Sequence, residues 1–285
     1  MENFRQTLEC VGVNKGDILY VASDVSRILW DSRKYFALIG NDDLIMFFNG
    51  LIEQLQNIVG DQGTLLLPVY NWDFCRGEAF DYRKTQGVVG VLNNFILNNR
   101  NDFIRTKHPL YSFMVWGKDA KQLYEMNNQE AWGQASPFAY LHKNGAKHLC
   151  LNTTIRRSLT FKHYVEQSVN VPYRHHKYFM GSYIDENGVE EVRVYSQYVR
   201  DLSIKYTATQ SEEFLLSGGA CKLAYFQEWP ISLTNLAIAY ELFKEDLICN
   251  HGANVCQFEN YSLPEKWDKN SKYEVGFLKD RLLLS

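Results

Sequence analysis

His163 and Glu166 stand three residues apart in the segment Thr160-Phe161-Lys162-His163-Tyr164-Val165-Glu166. On a helix that spacing places an imidazole and a carboxylate on one face. A carboxylate so placed fixes the tautomer of the ring and raises its basicity, which is what a general base needs. Alone the spacing also describes an ordinary surface pair. It lacks the second histidine of a zinc-binding H-E-x-x-H, so no metal site is expected. His108 precedes Pro109 within Arg105-Thr106-Lys107-His108-Pro109-Leu110-Tyr111-Ser112, which biases its backbone to an extended turn. Asp81 lies between Phe80 and Tyr82, surroundings that suit a cationic or hydroxyl-rich ligand as well as a loop cap. Ser23 and Asp24 follow the apolar run Ile18-Leu19-Tyr20-Val21-Ala22, and strand ends in α/β sheets are where ligands collect. Two basic clusters, Arg156-Arg157 and Arg174-His175-His176-Lys177, fit either a phosphate or a solvated turn.

These groups need a frame. Short apolar runs at 18–22, 64–67 and 148–151 read as buried strands. Periodic segments at 4–13, 42–59, 87–97, 118–126, 137–143 and 159–167 read as helices between or beside them. The alternation predicts an α/β fold with a central mixed sheet flanked by helices. After Pro172 the pattern changes: residues 178–183 and 189–195 alternate around Asp185-Glu186-Asn187-Gly188, a strong hairpin signal. The expectation is a single domain over 1–285 with an antiparallel extension at about 176–200, and a further helix at 234–244.

Composition excludes several classes. The 285 residues carry 46% hydrophobic and 22% charged side chains, ordinary for a globular chain and wrong for a disordered one. A net charge of −3 gives no overall footprint for nucleic acid. No apolar run reaches the ~18 residues of a membrane span, and no signal peptide is visible. The six scattered cysteines, Cys10, Cys75, Cys150, Cys221, Cys249 and Cys256, form no C-x-x-C, which suits reduced thiols in the cytoplasm. Cys150, in an apolar run, reads as core. G-x-x-x-x-G-K-[ST], G-x-G-x-x-G and G-x-S-x-G are all absent, against P-loop, dinucleotide-binding and α/β-hydrolase chemistry.

Taken in order, the chemical segments resemble the aminoglycoside 3-N-acetyltransferase family. Gly16-Asp17 and the strand ending at Ser23, Gly63-Thr64-Leu65 with Pro68, Phe80-Asp81 with Thr85 and Gly90, Arg105 to Ser112, Gly133-Gln134-Ala135-Ser136-Pro137, and Thr160, His163 and Glu166 match its motifs over about residues 8–175. Two departures stand out. Ala22 and Asp24 occupy the family's strand-end His and second Ser, and Thr85-Gln86-Gly87 replaces its Thr-Pro-Ser. The stretch around Val171 to Lys177 is similar to the branch that acts on bacterial surface-polysaccharide amino sugars.

The resemblance implies an acetyl-CoA-dependent N-acetyltransferase that works by direct transfer and uses no metal. His163 would be the general base and Glu166 its orienting partner. Asp81, Tyr82, His108, Arg174 and Lys177 would meet the acceptor. Ser23, Asp24, Val25, Ser112, Phe113, Met114 and Thr160 would meet CoA. The expected acceptor is an amino sugar carried on a nucleotide in surface-glycan synthesis, because the basic cluster at Arg174 suits a phosphate. The alternatives are aminoglycoside 3-N-acetylation and a non-catalytic CoA- or sugar-binding protein of the same fold. The expected partners are small molecules, with no nucleic acid, no membrane span and an open oligomeric state.

Overall fold

A computed structural model describes residues 2–26, 41–203, 206–207, 211–250, 252–255 and 257–258. Cys256 lies outside the described residues. The strands, in chain order, are β1 (Ile18–Ser23), β2 (Thr64–Tyr70), β3 (Phe80–Asp81), β4 (Ile104–Arg105), β5 (Tyr111–Gly117), β6 (Lys147–Leu151), β7 (Arg174–Ile184), β8 (Glu190–Arg200), β9 (Tyr206–Thr207), β10 (Cys221–Phe226), β11 (Trp229–Asn235) and β12 (Gln257–Phe258). Seven of them form one sheet in the order β10-β11-β6-β1-β2-β5-β4. β1 runs parallel to both β2 and β6, while β5, β4, β11 and β10 join antiparallel. The mixed sheet expected from the alternating pattern is what forms.

The three parallel strands are buried on both faces, and the two faces differ in chemistry. Leu19, Val21, Leu65, Leu67, Leu149 and Leu151 point into an aliphatic core beneath the helices Glu2–Val11, Asn41–Val59 and Val91–Asn99. Tyr20, Leu66, Tyr70 and Cys150 point the other way, into an aromatic core shared with the helices Pro137–Lys143, Phe161–Ser168 and Leu236–Cys249. Period-two alternation sorts the residues in this way. Every candidate chemical group of the segment 153–166 belongs to the aromatic side. There Tyr20, Tyr70, Phe113 and Phe138 meet edge to face or tilted, with centroids 5.4 to 6.5 Å apart.

Several boundaries differ from expectation, each for a local reason. The helix expected at 87–97 begins only at Val91, because Gly90 turns the chain with φ 76°. The helix expected at 159–167 is two pieces, Ile155–Ser158 and Phe161–Ser168, with Leu159 leaving helical geometry at ψ 68°. The hairpin is longer than its alternating signal: β7 and β8 pair over eleven residues each, from Arg174↔Arg200 to Ile184↔Glu190, and β3 adds in parallel to β7. Its turn is closed by Asp185, whose Oδ1 accepts from the Asn187 and Val189 amides. The β10–β11 hairpin went unforeseen, since its turn at Gln227 (φ 55°) lacks glycine or proline.

Gly117 ends β5 with φ 105°, and a Cβ there would lie 2.2 Å from the Gly63 carbonyl oxygen. Gly117→Ala is therefore expected to lose about 2–4 kcal/mol through left-handed strain and backbone collision. A lowered urea midpoint with an unchanged slope measures it.

Candidate active site

β1 has β2 on one side and β6 on the other, so the connections diverge at β1. In open α/β sheets a ligand crevice opens outside the carboxyl ends of strands at such a point. Ser23 ends β1 beside Leu151 of β6. The chain then passes through Asn152, held at φ 53°, into the helices that carry Arg156, Arg157 and His163. Tyr20 fixes this return: its hydroxyl donates to the Ser158 carbonyl at 2.9 Å and accepts from the Tyr70 hydroxyl at 3.2 Å. The segment bearing His163 is thus tied to the middle of the sheet.

His163 and Glu166 do share one helix face. His163 Nδ1 lies 2.6 Å from Glu166 Oε2. The carboxylate is fully buried, and its other oxygen accepts from the Tyr173 hydroxyl at 2.8 Å. Arg174 completes the group. Its Nε is 3.0 Å from Glu166 Oε2 and its Nη2 is 2.9 Å from His163 Nδ1, while Nη1 donates to the Tyr198 carbonyl. A lone pair on Nδ1 would face carboxylate electrons at the shorter of the two contacts. The proton is therefore assigned to Nδ1, which donates to Glu166 and leaves Nε2 with a free lone pair. Trp132 flanks the ring at 4.9 Å between centroids.

Burial, reinforced by Arg174, lowers the His163 pKa to about 4 against the opposing pull of Glu166. The imidazole is neutral at pH 7 and able to accept a proton. Burial alone would raise the Glu166 pKa, but Arg174 and His163 hold that carboxyl well below the usual range. His163 keeps 29% of its side chain exposed, towards the cleft.

The other sequence candidates fall into groups. Thr160 and Arg174 line the same cleft as His163. Ser23, Asp24 and Val25 stand at the end of β1; the Ser23 hydroxyl is buried with no partner among the described residues, and Val25 is core. Asp81, Tyr82, His108 and Ser112 instead form part of a frame around Arg105. The Arg105 guanidinium is buried, donates to Ser112 Oγ and to the Tyr82 and Thr85 carbonyls, and lies 4.7 Å over the Phe80 ring. Tyr82 returns a hydrogen bond to the Arg105 carbonyl at 2.6 Å. Asp81 caps its own turn through the Arg83 and Lys84 amides, and it pairs with Lys84 at 3.5 Å. His108 is 1% exposed and its Nδ1 accepts from the Leu110 and Tyr111 amides. Phe113 and Met114 are buried in β5 on opposite faces of the sheet. Lys177 projects from β7 over Phe179.

The cleft has a volume of about 370 Å³ and is bounded by the helices of 155–163, by the first residue of β7 and by the last of β8. Its walls include Arg156, Arg157, Lys162, Arg174 and Arg200, and none of its described lining residues is acidic. Sequence reasoning missed Trp132, Tyr173 and Arg200. Trp132 adjoins the matched Gly133 motif, so position offered a signal. Arg200 had none, because only the hairpin register brings it opposite Arg174. Among the described residues no group of His, Cys, Asp or Glu is placed to hold a metal ion.

Two measurements test these electrostatics. Burial lowers His108 and His148 to about 3, as it lowers His163 to about 4. The unfolded chain takes up these protons below about pH 6.5 and the folded chain refuses them, so stability falls as pH drops from about 6.5 towards 4. The slope is at most about 1.4 kcal/mol per pH unit for each histidine, read from urea unfolding across that window. Second, Arg174→Gln removes a repelling charge from His163. Its imidazole midpoint, followed by NMR, is expected to move up from about 4, while Arg174→Lys leaves it low.

The model of the family described as aminoglycoside 3-N-acetyltransferase matches residues 42–237. A curated relative is the SPbeta prophage-derived aminoglycoside N(3')-acetyltransferase-like protein YokD of Bacillus subtilis (strain 168). It is 23% identical over 197 residues, which span 61% of this chain and 66% of that protein. Among solved structures, aminoglycoside acetyltransferase AAC(3)-Xa superposes with a TM-score of 0.69 at 20% identity, over 86% of this chain and 92% of that one. AAC-IIIb in its binary complex with CoASH superposes with a TM-score of 0.67 at 20% identity, over 90% and 97%. An imidazole held by a buried carboxylate, set at the carboxyl ends of a mixed sheet, accords with the family match across more than half the sequence: the chain belongs to the aminoglycoside 3-N-acetyltransferase family, a family of N-acetyltransferases.

Proposed function

We propose that the protein transfers the acetyl group of acetyl-CoA to an amine of an aminoglycoside-type amino sugar, by direct attack within a ternary complex. The observation that carries this reading is the His163–Glu166–Arg174 cluster at the wall of the cleft. As the amine attacks the thioester carbonyl, the new C–N bond forms and the C–S bond breaks. His163 Nε2 takes the proton from the amine, and the departing sulfur leaves as CoA thiol once protonated. Glu166 stabilises the imidazolium so formed, and Arg174 holds Glu166 ionised. Support for acetyl-CoA as donor comes from family membership and from the CoASH complex of AAC-IIIb. A cytoplasmic location accords with that donor, and no described helix is long and apolar enough to cross a membrane.

A second reading rests on one observation, the cationic lining of the cleft. Polycationic aminoglycosides call for carboxylates around them, whereas an amino sugar linked to a nucleotide brings phosphates. Such an acceptor would place the protein in surface-glycan synthesis.

Thiol release from acetyl-CoA, measured with a panel of aminoglycosides beside nucleotide-linked amino sugars, separates the two acceptors. With the active acceptor, His163→Ala is expected to lower kcat about 10²–10⁴-fold while leaving CoA affinity near that of the parent. Undiminished turnover in that variant would remove His163 as the base.

A further inference from the structure

We propose that the cleft beside His163 is a phosphate seat, in which Arg156 and Arg157, with Lys162 and Arg200, bind a phosphoryl or pyrophosphoryl group of a substrate. Five cationic side chains line one cavity of about 370 Å³. Arg174 among them pairs with Glu166 at 3.0 Å. Arg156 and Arg157 are exposed and make no ion pair among the described residues. They follow the carboxyl end of β6 directly, inside the crevice that the sheet topology opens. Arg200 is the cross-strand neighbour of Arg174, and like charges directly opposite in a ladder are unfavourable. Cationic side chains gathered on the walls of one cleft concentrate anions there.

The geometry favours phosphate over a single carboxylate. Guanidinium forks match phosphate oxygens two at a time, and several converging arginines suit a group with multiple charged oxygens. The same chemistry has two sources here: the nucleotide phosphates of CoA, or a phosphate on the acceptor. Assigning the seat to either source rests on the acetyl-transfer reading, whereas the seat itself does not.

The test uses the full chain and starts from inorganic pyrophosphate, titrated calorimetrically into the parent protein and into Arg156→Gln/Arg157→Gln. Both side chains are exposed, so the variant is expected to keep the parent's circular dichroism. Pyrophosphate affinity should fall at least tenfold in the variant, and in Lys162→Gln as a second, independent probe. If the seat serves the donor, the double variant loses the preference for acetyl-CoA over S-acetylpantetheine, which lacks the nucleotide phosphates. If it serves the acceptor, acetyl-CoA binding is unchanged and UDP binding is lost. Parent-like affinity of the variants for pyrophosphate, CoA and UDP together would overturn the proposal. A parent protein that binds pyrophosphate through these arginines but neither CoA nor an amine acceptor would overturn the acetyl-transfer reading and leave the seat standing.

Discussion

One buried carboxylate organises this site. Glu166 has no access to solvent, and its two oxygens engage His163, Arg174 and Tyr173. Those contacts bind the helix Phe161–Ser168 to the first residue of β7 and so dock the long hairpin onto the body of the fold. A lone buried charge costs several kcal/mol, and a paired one returns that cost only when its remaining lone pairs are filled. Here they are filled on both oxygens. Removing any one partner leaves the others uncompensated, so geometry at His163 and docking of the hairpin are set by the same group.

The support extends outward in two directions. Beneath His163, Tyr20 and Tyr70 tether Ser158 to the parallel core, which anchors the start of the segment that carries the imidazole. On the other side, Trp132 connects His163 to Tyr111 at 5.0 Å, and Tyr111 meets Trp72 and Gln197 through its hydroxyl. The neutral imidazole is held between a charged pair and an aromatic wall, and under the proposed mechanism such preorganisation reduces reorganisation at the moment of proton transfer.

Much of this was legible in the sequence, though unevenly. The three buried strands were readable because parallel strands covered on both faces appear as continuous apolar runs. The pairing of His163 with Glu166 was readable because three residues along a helix return to one face. The roles of Arg105, Asp81 and His108 were less readable, since a motif records which residues occur together and not whether they face substrate or each other. In the structure Arg105 gathers Ser112, Tyr82 and Thr85, and the segments 80–88 and 105–112 fit together as a support. Arg174 likewise read as a phosphate ligand from its neighbours in sequence, but its nearest anion is Glu166 of the preceding helix. Arg200 and the β10–β11 hairpin depend on register and on a turn without the usual residues. Both arise from long-range pairing, which no local pattern encodes.

The opposed arginines at the mouth of the hairpin carry a consequence for the solvent. Some exposed charges here sit in ordinary pairs, such as Arg5 with Glu9 or Lys121 with Glu125, and dissolved salt weakens attraction of that kind. Arg156, Arg157, Lys162 and Arg200 bring like charge to one cleft, so screening over a Debye length of about 8 Å at physiological ionic strength weakens the repulsion among them. Ionic strength thus acts with opposite signs on two parts of one surface. The empty cleft is most comfortable in concentrated electrolyte, the medium in which its pull on an incoming anion is weakest.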